Sequence, residues 1–84
     1  MRLGTAKHPR GYVADVIGTE YHDGPSISVT EYSTVFPSGY NLTGTWKLLG
    51  DVLLWLQDKG YTEFFPLCKS EKFGCQVETQ NNVA

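Results

Sequence analysis

The sequence predicts a small α+β domain in which an antiparallel sheet carries one amphipathic helix on one face. Three observations predict this class. Two runs rich in β-branched and aromatic residues flank an Asp-Gly turn signal, as in a hairpin. Leucines then recur at helical spacing before a glycine at position 60, and a further β-type run follows that glycine. The predicted order is β-β-α-β, with residues 75–79 as a candidate short fourth strand.

The hairpin is predicted over residues 12–36. The run YVADVIGTEY forms its first strand, HDGP the turn and SISVTEYSTVF its second strand. In the second strand Ile27, Val29 and Val35 share one side, and Tyr32 and Phe36 lie on the other. A one-residue slip in pairing would exchange the two faces of the sheet, so the alternation alone leaves open which aromatic residues are exposed.

The helix is predicted to begin near Thr43 to Thr45, where a threonine side chain can accept a hydrogen bond from the first turn. It should end at Lys59, with Gly60 as the left-handed residue that follows. On a helical wheel one contiguous apolar face contains Leu48, Leu49, Val52, Leu53 and Leu56.

Three other apolar residues of this segment lie off the predicted core face. Trp46 and Trp55 fall at its two margins, and Leu54 falls among the polar residues opposite. A lone exposed leucine is ordinary on a protein surface, but with a marginal tryptophan it can also belong to an interface.

The remaining segments set the predicted boundaries. Residues 1–10 are predicted to be an irregular basic arm, because Gly4, Pro9 and Gly11 interrupt any regular element. Deleting residues 1–8 should then leave partner binding within about tenfold. Residues 11–79 form the single α+β domain and residues 80–84 a frayed tail. Within the domain, YTEFFPLCK is a strand that either bends at Pro66 or lies at a sheet edge, and SEKFG is a turn.

The net charge of −2 is unevenly distributed. Residues 1–10 contain three basic side chains and no acid, whereas residues 11–68 contain seven acids and two bases. An acidic body repels nucleic acid at long range, so nucleic-acid binding would depend on the basic segment.

No stretch of the sequence approaches the roughly 20 apolar residues of a membrane span, and the first residues lack the apolar region of a secretory signal. We therefore expect a cytoplasmic protein without membrane contact. Cys68 and Cys75 are then reduced thiols by default, although a disulfide across the turn between them is geometrically possible.

The residue types of a zinc site are present as His8, His22, Cys68 and Cys75, but six residues separate the cysteines and neither histidine has a nearby ligand. The adjacent His22 and Asp23 lie at the hairpin turn, where no nucleophile is near. Phosphate-loop, dinucleotide-binding and paired-carboxylate motifs are absent from the sequence. We expect no metal, no cofactor and no enzymatic activity.

The first functional hypothesis is a small non-enzymatic protein that binds a larger protein as an inhibitor or adaptor. Aromatic residues make up 13% of the chain, and one helix leaves one sheet face uncovered. By analogy, small acidic domains of this kind occur in phages and mobile elements, which suggests a viral protein. The candidate partner-binding residues are Glu20, Glu31, Tyr32, Phe36, Trp46 and Leu54.

Two alternatives belong to other classes. The second hypothesis is a nucleic-acid-binding accessory protein that uses Arg2, Lys7 and Arg10 of the basic arm. The third, and least favoured, is a small metal-binding or enzymatic domain.

Overall fold

A computed structural model describes residues 1–42, 44–67 and 73–75 of the chain. Its elements are β1 (Arg2–Lys7), β2 (Val13–Tyr21), β3 (Gly24–Tyr32), β4 (Tyr40–Asn41), α1 (Leu49–Asp58) and β5 (Glu63–Pro66). The strands form one antiparallel sheet in the order β4-β3-β2-β1-β5, and α1 packs on one face of it. The predicted α+β class is confirmed, with β1 and β4 as additional strands.

The β2–β3 hairpin forms as the alternation predicts. Val16 pairs with Val29, and Gly18 pairs with Ile27. This register turns Val16, Ile27 and Val29 toward the helix, where all three are fully buried. Tyr32 lies on the opposite face, which we call the open face because α1 does not cover it.

The second hairpin strand is shorter than predicted, and Val35 is not on its buried side. β3 ends at Tyr32, and a turn follows in which the Phe36 N–H donates to Ser33 Oγ at 3.1 Å. This turn carries Val35 away from the sheet, where it is strongly exposed. The loop then returns as β4, which pairs with the outer edge of β3.

The predicted irregular arm at residues 1–10 is wrong, because residues 2–7 form β1 between β2 and β5. Leu3 and Ala6 of this strand are buried in the core. Gly4 is a packing position and does not interrupt the strand. A Cβ atom there would lie 2.3 Å from Cζ of Phe64, so only glycine lets the β5 side chain cross β1 this closely.

The predicted helix start is also wrong. Leu48 is the N-cap residue of α1, and it makes no side-chain cap hydrogen bond. The preceding segment is extended because the backbone of Trp46 pairs with Ile27, through N–H to oxygen contacts of 2.7 and 3.0 Å. Thr43 lies outside the described residues. The predicted end is confirmed, since Gly60 follows the C-cap Lys59 with φ of 101°.

The predicted core face of the helix is confirmed in part. The buried residues of α1 are Leu49, Val52 and Leu56. Leu53 is only partly buried, and Leu48 is exposed because it precedes the first helical turn. Leu54 is exposed as predicted. In the described ranges α1 is the one helix, and its 10 residues are too few and not apolar enough to cross a membrane.

The described segment 73–75 completes the core on the helix side. Phe73 was placed in a turn by the sequence analysis, yet it is the largest of the fully buried side chains in the described part of the chain. Its ring lies over Gly18, where a Cβ atom would come within 2.8 Å of Cε1 and Cζ. The candidate fourth strand after Cys75 and the tail at 80–84 lie outside the described residues.

Cys75 is buried and disulfide-bonded. The default expectation of a reduced thiol is therefore wrong at Cys75. The only other cysteine of the chain is Cys68, which lies outside the described residues.

Candidate functional site

A recess of about 460 Å³ opens between the C-terminal end of α1 and the sheet. It lies where β1 and β3 end and where β2 begins, so segments distant in sequence meet there. We call it the aromatic recess. It is lined by His8, Tyr12, Glu31, Tyr40, Leu42, Trp55, Lys59 and Tyr61.

One wall is built by the turn that links β1 to β2. The His8 N–H donates to the Tyr12 carbonyl, and the Gly11 N–H donates to the His8 carbonyl, both at 2.9 Å. The Arg10 N–H donates to His8 Nδ1 at 3.0 Å, which fixes the imidazole ring. That ring contacts Tyr12 at 5.1 Å and Tyr61 at 5.2 Å between ring centroids. The turn therefore presents two adjoining rings to the recess.

Glu31 supplies the acidic group of the aromatic recess. It lies on β3 on the helix side of the sheet, opposite Ala14, and is half-buried. The Tyr40 hydroxyl donates to Glu31 Oε1 at 2.5 Å, and the Tyr61 hydroxyl donates to Oε2. Within the described part of the chain, no basic side chain comes within 4.0 Å of the Glu31 carboxylate. Its two oxygens each accept a hydrogen bond from a neutral hydroxyl group.

Both phenols remain protonated at neutral pH. Burial, followed by the hydrogen bond to Glu31, raises the pKa of Tyr61 far above its ordinary value. The hydrogen bond to Glu31 is the main cause that raises the pKa of Tyr40. Neither hydroxyl is suited to act as a general base, because a raised pKa keeps the proton on the oxygen. Their role in this geometry is to donate to the carboxylate.

We expect the free energy of unfolding to fall as the pH rises above about 10, the pKa of a phenol in an unfolded chain. Unfolded Tyr61 loses its proton there, whereas folded Tyr61 keeps it, so its contribution is complete below about pH 10 and is lost as the pH approaches the raised folded pKa. Urea midpoints between about pH 8 and 11 measure how steeply the free energy of unfolding depends on pH. Tyr61→Phe should make this pH dependence less steep, whereas the matched change Tyr21→Phe at an exposed tyrosine should not. Parallel curves for Tyr61→Phe and the wild type would contradict this.

The six predicted partner-binding residues do not form one surface. Glu31 lies in the recess, and Phe36 borders it through an edge contact with Tyr40 at 5.1 Å between centroids. Glu20 lies near the other end of the hairpin, on the same strand as Ala14, the partner of Glu31. Six positions along β2 separate Glu20 from Ala14, so Glu20 lies roughly 20 Å from the position of Glu31.

The other three candidates point in different directions. Tyr32 lies on the open face beneath the β3–β4 loop, where a Cβ atom on Gly39 would meet its ring at 2.6 Å. Trp46 is half-buried and packs on Trp55, with ring centroids 4.8 Å apart. Leu54 is exposed along a separate groove between α1 and β5.

The predicted basic set is not carried by a free arm. Arg2 lies in β1 with its guanidinium 3.4 Å from Asp15, and the Lys7 ammonium lies 5.4 Å from the ring centroid of Phe65. Arg10 lies in the turn after β1 and is exposed. The three cations are held at fixed places on the sheet and its end, which differs from the expected mobile arm.

Sequence reasoning missed most of the aromatic recess. Glu31 was selected for its charge, but Tyr40 and Tyr61 were not selected, since nothing in the sequence links these two tyrosines to an acid on β3. The spacing of these residues has no helical or strand period. Only the pairing of β3 with β4 and the return of the chain after α1 bring them together.

Metal binding is a separate question. Among the described residues, no three His, Cys, Asp or Glu side chains are grouped closely enough to hold a metal ion. Cys68 lies outside those ranges, so the expected absence of zinc stays a prediction.

No protein-family model matches this chain, and neither a curated protein nor a solved structure shows significant similarity to it.

Proposed function

We propose that this protein is a non-enzymatic domain that binds a larger protein through the end of the sheet that holds the aromatic recess. The observation that supports this is a cluster of exposed rings at the mouth of the recess. Phe36, Tyr40 and Tyr12 are 53%, 42% and 36% exposed. We call these three residues the aromatic rim.

Isolated exposed aromatic side chains are common, but the aromatic rim has two further properties. Phe36 contacts Tyr40, and Tyr40 and Tyr12 line the same concave recess. The recess also places an acid among them, whereas two polar pairs on the open face are satisfied within the sheet. There Thr5 donates to Asp15 at 3.1 Å and Thr30 to Asn41 at 2.9 Å. Aromatic residues around a concave centre are typical of binding surfaces.

The chemistry of the recess favours binding over catalysis. Among the described residues that line it, none is a serine, threonine or cysteine that could serve as a nucleophile. The two tyrosines keep their protons, and Glu31 is engaged by both of them. A group held in this way is suited to recognise a cation and has no evident proton to transfer.

Nucleic-acid binding has less support. Of the three basic candidates, Arg2 already has an acidic neighbour and Lys7 is packed against Phe65.

In the proposed protein-binding role, the domain would occupy or bridge a surface of its partner, as an inhibitor or an adaptor.

Phe36→Ser is expected to weaken partner binding at least tenfold, because truncating an aromatic residue at an interface centre commonly costs about 2 kcal/mol or more. The matched control is Phe65→Ser, since Phe65 is 49% exposed but lies at the far edge strand β5. Tagged wild-type and variant proteins capture partners from nuclease-treated lysate of the source cells, and mass spectrometry quantifies each captured protein.

The expected result is one protein retained by the wild type and by Phe65→Ser and depleted with Phe36→Ser. Equal capture by both variants would place the interface elsewhere. Capture that occurs in untreated lysate but not in nuclease-treated lysate would favour the nucleic-acid hypothesis. A wild type that retains no protein would also count against the proposal.

A further inference from the structure

We propose that the aromatic recess receives an arginine side chain of the protein partner, with Glu31 as the anion that its guanidinium meets. This inference rests on the proposed function, and it specifies the chemistry at the centre of that interface. It follows from three features of the recess: an acid with no described cation within 4.0 Å, a wall of aromatic rings, and a volume suited to a whole side chain.

The acid has unused capacity. A carboxylate offers about four acceptor positions, and Glu31 uses one on each oxygen for the two tyrosine hydroxyls. Its remaining acceptor positions are open to the recess, where no described basic side chain lies within 4.0 Å of the carboxylate. A guanidinium presents two parallel N–H donors that match the two oxygens of a carboxylate, whereas the compact ammonium of lysine has no such paired donors.

The walls also suit a flat cation. Tyr12, Tyr40 and Tyr61 bring ring faces or edges to the recess, and His8 contacts two of them. A guanidinium stacks on aromatic rings and keeps part of its hydrogen bonding free for an acid. The volume of about 460 Å³ lies in the range of sites that enclose a small ligand, so the aliphatic stem can enter together with the charged group.

Lys59 provides an internal comparison. Its ammonium lies 5.3 Å from the ring centroid of Trp55, so the protein already holds one cation on an aromatic ring at the margin of the recess. That charge opposes a second cation nearby. An incoming guanidinium would meet less repulsion without Lys59, so removing this charge should tighten binding.

The test uses three short peptides, Ac-Gly-Arg-Gly-NH2 and the same peptide with citrulline or lysine at its centre. Citrulline keeps the shape of arginine but carries no charge. Binding is followed by NMR shifts of the backbone amides of His8, Arg10, Gly11 and Tyr12 and of the Trp55 indole N–H. The arginine peptide should give saturable shifts at these positions, with affinity at least fivefold above that of the other two.

Three variants identify the groups involved. Glu31→Gln should lower the affinity for the arginine peptide at least fivefold, and Lys59→Gln should raise that affinity about twofold. Tyr12→Leu should weaken it at least threefold, and since Tyr12 makes no hydrogen bond to Glu31, this variant remains decisive if Glu31→Gln fails to fold. The amide spectrum of each variant reports whether its fold is kept.

The inference is overturned if citrulline or lysine binds as tightly as arginine, if the shifts map to the open face, or if no saturation is reached with either the wild type or Lys59→Gln. These outcomes are separate from a failure of the proposed function. If the arginine peptide does not bind but capture of a partner still depends on Phe36, only the arginine subsite is rejected. If the peptide binds but no capture depends on Phe36, the proposed interface is rejected and the recess remains a cation site.

Discussion

Deletion of residues 1–8 is expected to abolish the fold. β1 is bonded on both sides, to β2 over Arg2–Lys7 and to β5 over Gly4–Lys7. Its removal leaves β5 without a neighbour and deletes the buried side chains of Leu3 and Ala6. A central strand lost from a domain of 84 residues removes a large part of a stability that is itself only about 5–15 kcal/mol.

The measurement is a thermal melt by circular dichroism, with an amide NMR spectrum, on a chain that begins at Pro9 after an initiator methionine. The control is the pair Arg2→Gln and Lys7→Gln, which removes the charges and keeps the strand. It should melt within a few degrees of the wild type, because exposed ion pairs contribute about 0–1 kcal/mol. A truncated chain with a cooperative melt and dispersed amide signals would show that β1 is not part of the core.

The elements that sequence reasoning predicted correctly are those with local causes. The Asp23-Gly24 pair and the alternation around it specify the hairpin without reference to the rest of the chain. Gly60 ends the helix because the left-handed conformation favours glycine, and that preference acts at a single position. Pro66 predicted either a bend or an edge strand, and β5 is at the edge of the sheet.

The errors have non-local causes. Gly4 resembles a break in an irregular arm until Phe64 is placed across it, and Gly18 resembles an ordinary strand glycine until Phe73 is placed over it. The helix start was misplaced because Trp46 is drawn into pairing with Ile27, which a capping rule does not include. In each case the partner that decides the structure lies at least 18 residues away in the chain.

The candidate site follows the same division. Phe36 was selected as an aromatic residue on the uncovered face of the predicted second strand, and Glu31 as one of the acids in the body of the chain. Their position at one recess depends on β4 returning along β3, and on Tyr61 following α1 back to the sheet. A sequence shows which residues could bind a cation, but the sheet order decides which of them meet.

Phe73→Ala is expected to lower the free energy of unfolding by about 3–5 kcal/mol, the range for deleting a buried phenylalanine. Its side chain is 1% exposed and touches the space above Gly18, beside Leu3. The matched control is Phe36→Ala, because Phe36 is 53% exposed and its loss should cost less than about 1 kcal/mol. Urea midpoints of both variants, measured without reductant because Cys75 is disulfide-bonded, give the two differences.

The contact between Phe73 and Gly18 makes this prediction specific. Gly18→Ala should destabilise the wild type by about 1–3 kcal/mol, because the new Cβ would lie 2.8 Å from the Phe73 ring. In the Phe73→Ala background the ring is gone and the added methyl group enters the space it leaves, so the same change should cost little or become favourable. A double-mutant cycle therefore gives a coupling of about 1 kcal/mol or more between two positions 55 apart in the sequence. Additive effects would mean that Phe73 does not pack on β2, and the core would then have to be closed by another residue.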